Sequence, residues 1–169
     1  MPANIEIKAR VRDFEKFKHS ASQLSEVPCQ VIPQEDTFFT CPQGRIKLRQ
    51  LSADRGQLIY YQRQDIKGPK HSDYRIVETD KPGDLKTILA QAFGVRGVVR
   101  KTRYLFIVGQ TRIHLDEVVG LGTFMELEVV LRDDQTDVEG QRIAEGLMRE
   151  LGVGPADLID KAYMDLIEE

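Results

Sequence analysis

The stretch Asn4-Ile5-Glu6-Ile7-Lys8-Ala9-Arg10-Val11-Arg12 decides how this chain is read. Apolar Ile5, Ile7, Ala9 and Val11 alternate with Asn4, Glu6, Lys8, Arg10 and Arg12. Successive side chains of a strand point to opposite faces. This period of two therefore marks a β-strand with one apolar face and one face carrying charge of both signs. A charged face turned to water is the ordinary outcome for a single such strand.

The same pattern recurs along the chain. Arg45-Ile46-Lys47-Leu48-Arg49-Gln50-Leu51 alternates with Arg45, Lys47 and Arg49 on one face, Asp54-Arg55-Gly56 forms a turn, and Gln57–Arg63 follows, so the two strands read as a hairpin. Further strands are expected at Val98–Phe106, with Lys101 and Arg103 together, and at Thr111–Asp116, with Arg112, His114 and Asp116 together. Phe124–Val130 places Glu126 and Glu128 on one face, and shorter strands are expected at Glu35–Phe39 and Asp73–Glu78. Pro28 and Pro33 are expected to break the segment before Glu35.

Asp13 suits the cap of a helix running to about Leu24, with Phe14, Phe17, Ala21 and Leu24 on one side. Pro82 sits just inside a helix that runs to about Phe93. Helices are also expected over Asp137–Leu151 and, in short form, at the C-terminus after a helix start at Gly154-Pro155-Ala156-Asp157. The tally is about eight strands, mostly joined by tight turns and therefore antiparallel, with peripheral helices; such a set closes into a barrel or a sandwich.

At 169 residues the chain reads as one domain, 1–169. Its 30% charged residues nearly cancel to a net charge of -3, which argues against a general nucleic-acid binder. Cys29 and Cys41 offer no disulfide framework, and no apolar run resembles a signal segment or a membrane span. The expectation is a soluble cytoplasmic protein with no membrane partner. His19, His71 and His114 are dispersed, which argues against a zinc site; His114 reads as a hydrogen-bonded structural residue or a proton carrier beside Asp116.

Two arrangements satisfy the alternation. With the charged faces outward, the barrel has an ordinary apolar centre. With them inward, the apolar faces need cover from helices, for which Leu85, Ile88, Leu89, Ala92 and Phe93 are available, and the lumen is a wet charged channel. Burying an uncompensated ion costs several kcal/mol, so such a lumen needs water, counter-charge or ligand. Clustered bases suit a polyanion, and clustered carboxylates suit a hard cation such as Mg²⁺ or Mn²⁺. A polyphosphate with its metal satisfies both.

Glu6-Ile7-Lys8 resembles the end of the Glu-x-Glu-x-Lys motif that opens the CYTH family of triphosphate tunnel metalloenzymes. Arg45-Ile46-Lys47-Leu48-Arg49, Lys101-Thr102-Arg103, Asp116, Glu126-Leu127-Glu128 and Tyr163-Met164-Asp165-Leu166 follow in the family's order, and Leu115–Phe124 looks most like the class IV adenylyl cyclase branch. The resemblance covers essentially the whole chain. It implies an α+β fold: a closed eight-stranded antiparallel β-barrel, or tunnel, with a charged lumen and peripheral helices. It implies Glu6, Glu126 and Glu128 as metal ligands and catalytic groups for Mg²⁺ or Mn²⁺, with Asp116 as a further ligand or a carboxylate behind them. Lys8, Lys47, Arg49, Arg63, Lys101 and Arg103 would grip phosphate oxygens, joined by Arg75 and Arg112, while Arg10 and Arg12 suit a strand end. Asn4 stands where the motif has its first Glu; it offers a carbonyl oxygen without charge and leaves one metal or two open.

The activity implied is hydrolysis of inorganic triphosphate or a related triphosphate. Cyclisation of ATP to cyclic AMP and pyrophosphate is the alternative, and non-catalytic binding of polyphosphate or nucleotide is a third. Tyr60, Tyr61, Phe38 and Phe39 are available to stack a base but read as core on the apolar side. A homodimer is compatible with the family.

Overall fold

The structure is a computed structural model that describes residues 2–169. Its strands are β1 (Ala3–Arg10), β2 (Gln30–Phe39), β3 (Arg45–Ser52), β4 (Arg55–Arg63), β5 (Lys70–Thr79), β6 (Val95–Val108), β7 (Thr111–Val118) and β8 (Gly122–Val130). The helices are α1 (Phe14–Leu24), α2 (Pro82–Phe93), α3 (Asp137–Glu150) and α4 (Tyr163–Ile167). The strands close into a barrel in the order β1-β5-β4-β3-β2-β6-β7-β8, with every pair antiparallel. Two meanders, β2 to β5 and β6 to β8, are joined by the β2–β6 pair, and β1 closes the ring between β5 and β8.

The core lies outside the barrel. Ile5, Ile7 and Ala9 of β1 are fully buried, together with Ile113, Leu115, Leu127 and Val129, beneath Phe17 and Ala21 of α1 and Ala144 and Leu147 of α3. The apolar faces point outward into helical cover, and the charged faces point inward. α3 lies close against β1 because Gly140 has no side chain: a Cβ there would stand 2.6 Å from Ile5 Cγ1 and 2.7 Å from Leu131 Cδ2. Thr136 and Glu139 form a reciprocal capping box that starts α3. Asp13 caps α1 by accepting from the Lys16 amide, and Pro82 occupies the first turn of α2.

Two expectations are corrected. β2 begins at Gln30 and runs through Pro33. Over residues 30–34 it pairs only with β6, so one edge is unpaired and a missing N–H is tolerated there. On α2, Leu85 and Leu89 pack on Phe39 and Leu48, but Ile88 and Phe93 are more than half exposed. The residues one turn-fraction away from the 85/89 stripe face water.

Candidate functional site

The inward faces enclose a cavity of about 250 Å³. Its lining carries seven cations, Lys8, Lys47, Arg49, Arg63, Lys101, Arg103 and Arg112, against the four carboxylates Glu6, Asp36, Glu126 and Glu128.

Strand register places these groups. Glu126 of β8 stands opposite Lys8 on one side and His114 on the other; Glu128 stands opposite Glu6 and Arg112. Lys8 Nζ lies 3.2 Å from Glu126, Arg63 donates to Glu6 at 2.8 Å, and Arg112 Nη2 lies 2.9 Å from Glu128 Oε2. One donor atom from each of His114, Glu126 and Glu128 lies within 4.8 Å of the others. His114 Nδ1 is buried with no hydrogen-bond partner. An acid-rich wall with an orphaned ring nitrogen fits a divalent cation.

Across the lumen, Asp36 of β2 is 1% exposed and accepts from Arg49 Nε and Nη2 at 2.9 Å each. Lys47 Nζ stands 3.0 Å from the same carboxylate and Lys101 Nζ 3.9 Å. Asp36 was not among the sequence-based candidates; its signal is its place on the face of Gln34 and Phe38, directly opposite Arg49. It holds three cationic side chains in position.

Asp116 does not join the acid wall. Both its oxygens take the Arg103 fork at 2.8 Å, and Tyr163 Oη donates to Oδ2 at 3.0 Å. Fully buried and engaged, it orients Arg103, which is the place behind the acid wall that the sequence left open for it beside that of a ligand. Arg75 stands outside the lumen. Ser72, Tyr74 and Ile76 are the lumen residues of β5, so alternation turns Arg75 outward, where it is exposed. Arg12 lies at an exposed strand end on Asp157. Phe38 and Tyr61 face the lumen, whereas Phe39 lies under α2.

One end of the barrel is closed by the C-terminal segment. Tyr163 is buried, with Lys8 Nζ 3.9 Å and Lys101 Nζ 4.9 Å from its ring centroid. Asp165 pins α4 to the barrel through Arg45 at 3.0 Å and Arg96 at 2.6 Å. Gly97 of β6 provides the seat, since a Cβ there would collide with Met164.

The electrostatics show a lumen short of negative charge. Burial lowers Lys8 to about 8, although Glu126 opposes the shift. Burial and the adjacent Arg103 lower Lys101 to about 7. Lys47 is likewise lowered by burial, with Asp36 opposing the shift. Burial raises a carboxyl, yet Lys8, Arg103 and Lys101 hold Glu126 well below the usual range, and the charges around Glu128 hold it at about 2. Glu6 moves upward instead, through burial and the neighbouring Glu128 and Glu126, against the pull of Arg63. Burial and Arg103 lower His114 to about 3, which leaves its imidazole neutral.

An inverted barrel of eight strands, with its ions inside and its oil outside, defines a tunnel protein. The sequence model of the CYTH domain matches residues 2–163, and the chain belongs to the CYTH family. It is 25% identical to the adenylate cyclase CyaB of Aeromonas hydrophila over 98% of this chain and 88% of that protein. In fold it is similar to PH1012 of Pyrococcus horikoshii OT3, with a TM-score of 0.85 at 24% identity over 96% of this chain and 98% of that one. It is also similar to HpAC1 of Hippeastrum, described as a putative adenylyl cyclase with a dominant triphosphatase activity, with a TM-score of 0.65 at 16% identity over 96% and 91% of the two chains. No helix among the described residues is long and apolar enough to cross a membrane.

Proposed function

We propose that this protein is a divalent-metal-dependent phosphohydrolase that draws inorganic triphosphate, or a related triphosphate, into the tunnel. The observation that carries the reading is the lining: seven cations against four carboxylates, with Lys8, Lys47 and Lys101 all lowered by burial, so that their ammonium forms are disfavoured until an anion arrives. Arg49, Arg63, Arg103 and Arg112 bring planar forks that match phosphate oxygens two at a time, and Lys8, Lys47 and Lys101 act as compact charges. Asp36 and Asp116 hold these groups near the geometry they need before substrate enters, which lowers the cost of ordering them on binding.

Glu126 and Glu128, with Glu6 beside them, would hold Mg²⁺ or Mn²⁺; such an ion polarises phosphoryl oxygens and offsets their charge. The chain's own contribution is an array of cations fixed around the position where phosphoryl charge develops. Hydrolysis is favoured over cyclisation because cations already lie against three of the four lumen aromatics, Tyr74 being the fourth. Lys47 lies 5.4 Å from the Phe38 ring, Arg63 5.7 Å from Tyr61 and Lys8 3.9 Å from Tyr163, so one face of each of these rings is taken up before a nucleobase could stack there.

The second reading is an adenylyl cyclase. It is favoured by the likeness to CyaB and by Ile32, Ile59, Ile76 and Leu105, apolar lining residues that would accept a base. One assay separates them: purified protein with Mg²⁺ or Mn²⁺ and either tripolyphosphate or ATP. Phosphate released from tripolyphosphate supports the hydrolase. Cyclic AMP with pyrophosphate supports the cyclase. Tight binding without turnover refutes both and leaves a polyphosphate-binding protein.

A further inference from the structure

We propose that His114 supplies, through Nδ1, a nitrogen ligand to the divalent cation held by Glu126 and Glu128, so that the site prefers a borderline ion such as Mn²⁺ over Mg²⁺. The inference rests on the metal-dependent reading above and adds a ligand, and with it a selectivity, that an all-oxygen site lacks.

Three independent features of the ring support this. The first is position: β7–β8 register sets His114 directly opposite Glu126, next to the Arg112–Glu128 pair, with the ring lining the lumen. The second is an unmet valence. His114 is 4% exposed, and Nδ1 has no hydrogen-bond partner. Native structures rarely leave a buried polar atom unmatched, so such an atom asks what binds there.

The third is spacing. Nδ1 lies 3.9 Å from Glu128 Oε1, too far for a hydrogen bond, while Arg112 occupies the other oxygen, Oε2. A 3.9 Å gap is too wide for the two groups to bond each other and narrow enough for both to reach one ion. The three donors, all within 4.8 Å, need only small side-chain movements to converge.

Neutral imidazole binds Mn²⁺ and later first-row ions more strongly than it binds Mg²⁺, which keeps oxygen ligands and water. His19 and His71 are not part of this cluster; His71 is occupied by Asp73 and Asp137. A nitrogen signal from a bound ion would therefore report His114 alone.

The experiment is electron spin-echo envelope modulation of Mn²⁺ added to the full chain, with and without tripolyphosphate. The expected result is ¹⁴N modulation that changes to the ¹⁵N pattern when histidine is isotopically labelled. That arm uses the unaltered protein and does not depend on a variant folding. In His114→Gln the nitrogen modulation should vanish, and the preference for Mn²⁺ over Mg²⁺ in a competition titration should fall about tenfold. Mn²⁺ that binds, and is lost in Glu126→Gln, but shows no nitrogen modulation overturns the inference and leaves the metal-dependent reading standing. Absence of Mn²⁺ binding under both conditions overturns both.

Discussion

Replacing Asp36 with Asn tests the idea that the tunnel is a cation cage awaiting an anion. The amide keeps the carboxylate's shape but removes its charge, and its NH₂ faces Arg49 donors with another donor. Asp36 is 1% exposed and serves Arg49, Lys47 and Lys101 together, so its loss leaves three buried cations short of a partner. Removing one member of a buried ion pair costs about 3–5 kcal/mol. For a chain of this size each kcal/mol moves the melting point by about 2–4 °C, so the variant should melt about 6–20 °C below wild type. A bound triphosphate supplies the missing charge. Tripolyphosphate should therefore raise the melting point of Asp36→Asn by more than it raises that of the wild type, because ligand that binds only the folded state adds its binding energy to stability. The assay is a thermal melt of both proteins across a tripolyphosphate titration. An unchanged melting point in the variant, or a ligand-induced rise no larger than wild type's, refutes the reasoning.

Three further outcomes are expected. Glu126→Gln and Glu128→Gln should each lower kcat at least about 100-fold with circular dichroism unchanged, since the charge lost is at the acid wall and not in the outer core; wild-type rates in both would remove them from the site. Arg49→Ala should raise KM at least about tenfold while Arg75→Ala stays within about twofold, because only the first side chain lines the lumen; steady-state kinetics on tripolyphosphate decide this. His71 bridges Asp73 and Asp137, and its hydrogen bonds to them raise its pKa above the ordinary 6.5. A raised folded pKa gives stability that is present in full below 6.5 and lost as pH rises through the folded value. Melts between about pH 6 and about pH 8.5 should show this loss in the wild type and a flatter profile in His71→Asn; equal profiles would count against the bridge.

The sequence alone determined much of this protein. Period-two alternation in Asn4–Arg12 and its later repeats located the eight strands, because a strand's side chains must alternate. Asp13 and Pro82 marked two helix starts, because caps and first-turn prolines satisfy orphaned backbone donors locally. The acid wall and most of the cation set were also legible, since each residue sits on the charged face of its own strand.

Only the tertiary structure decided which face turns inward. That choice depends on whether helices such as α1 and α3 cover Ile5, Ile7 and Ala9, a contact between segments distant in sequence. It also sorted the candidates by register. Asp36 entered the site by standing opposite Arg49, Asp116 took a place behind the lining by engaging Arg103 and Tyr163, and Arg75 fell on the outer face. A one-residue offset in a strand reverses every side chain, and that offset is set by pairing across the barrel, which no single segment encodes.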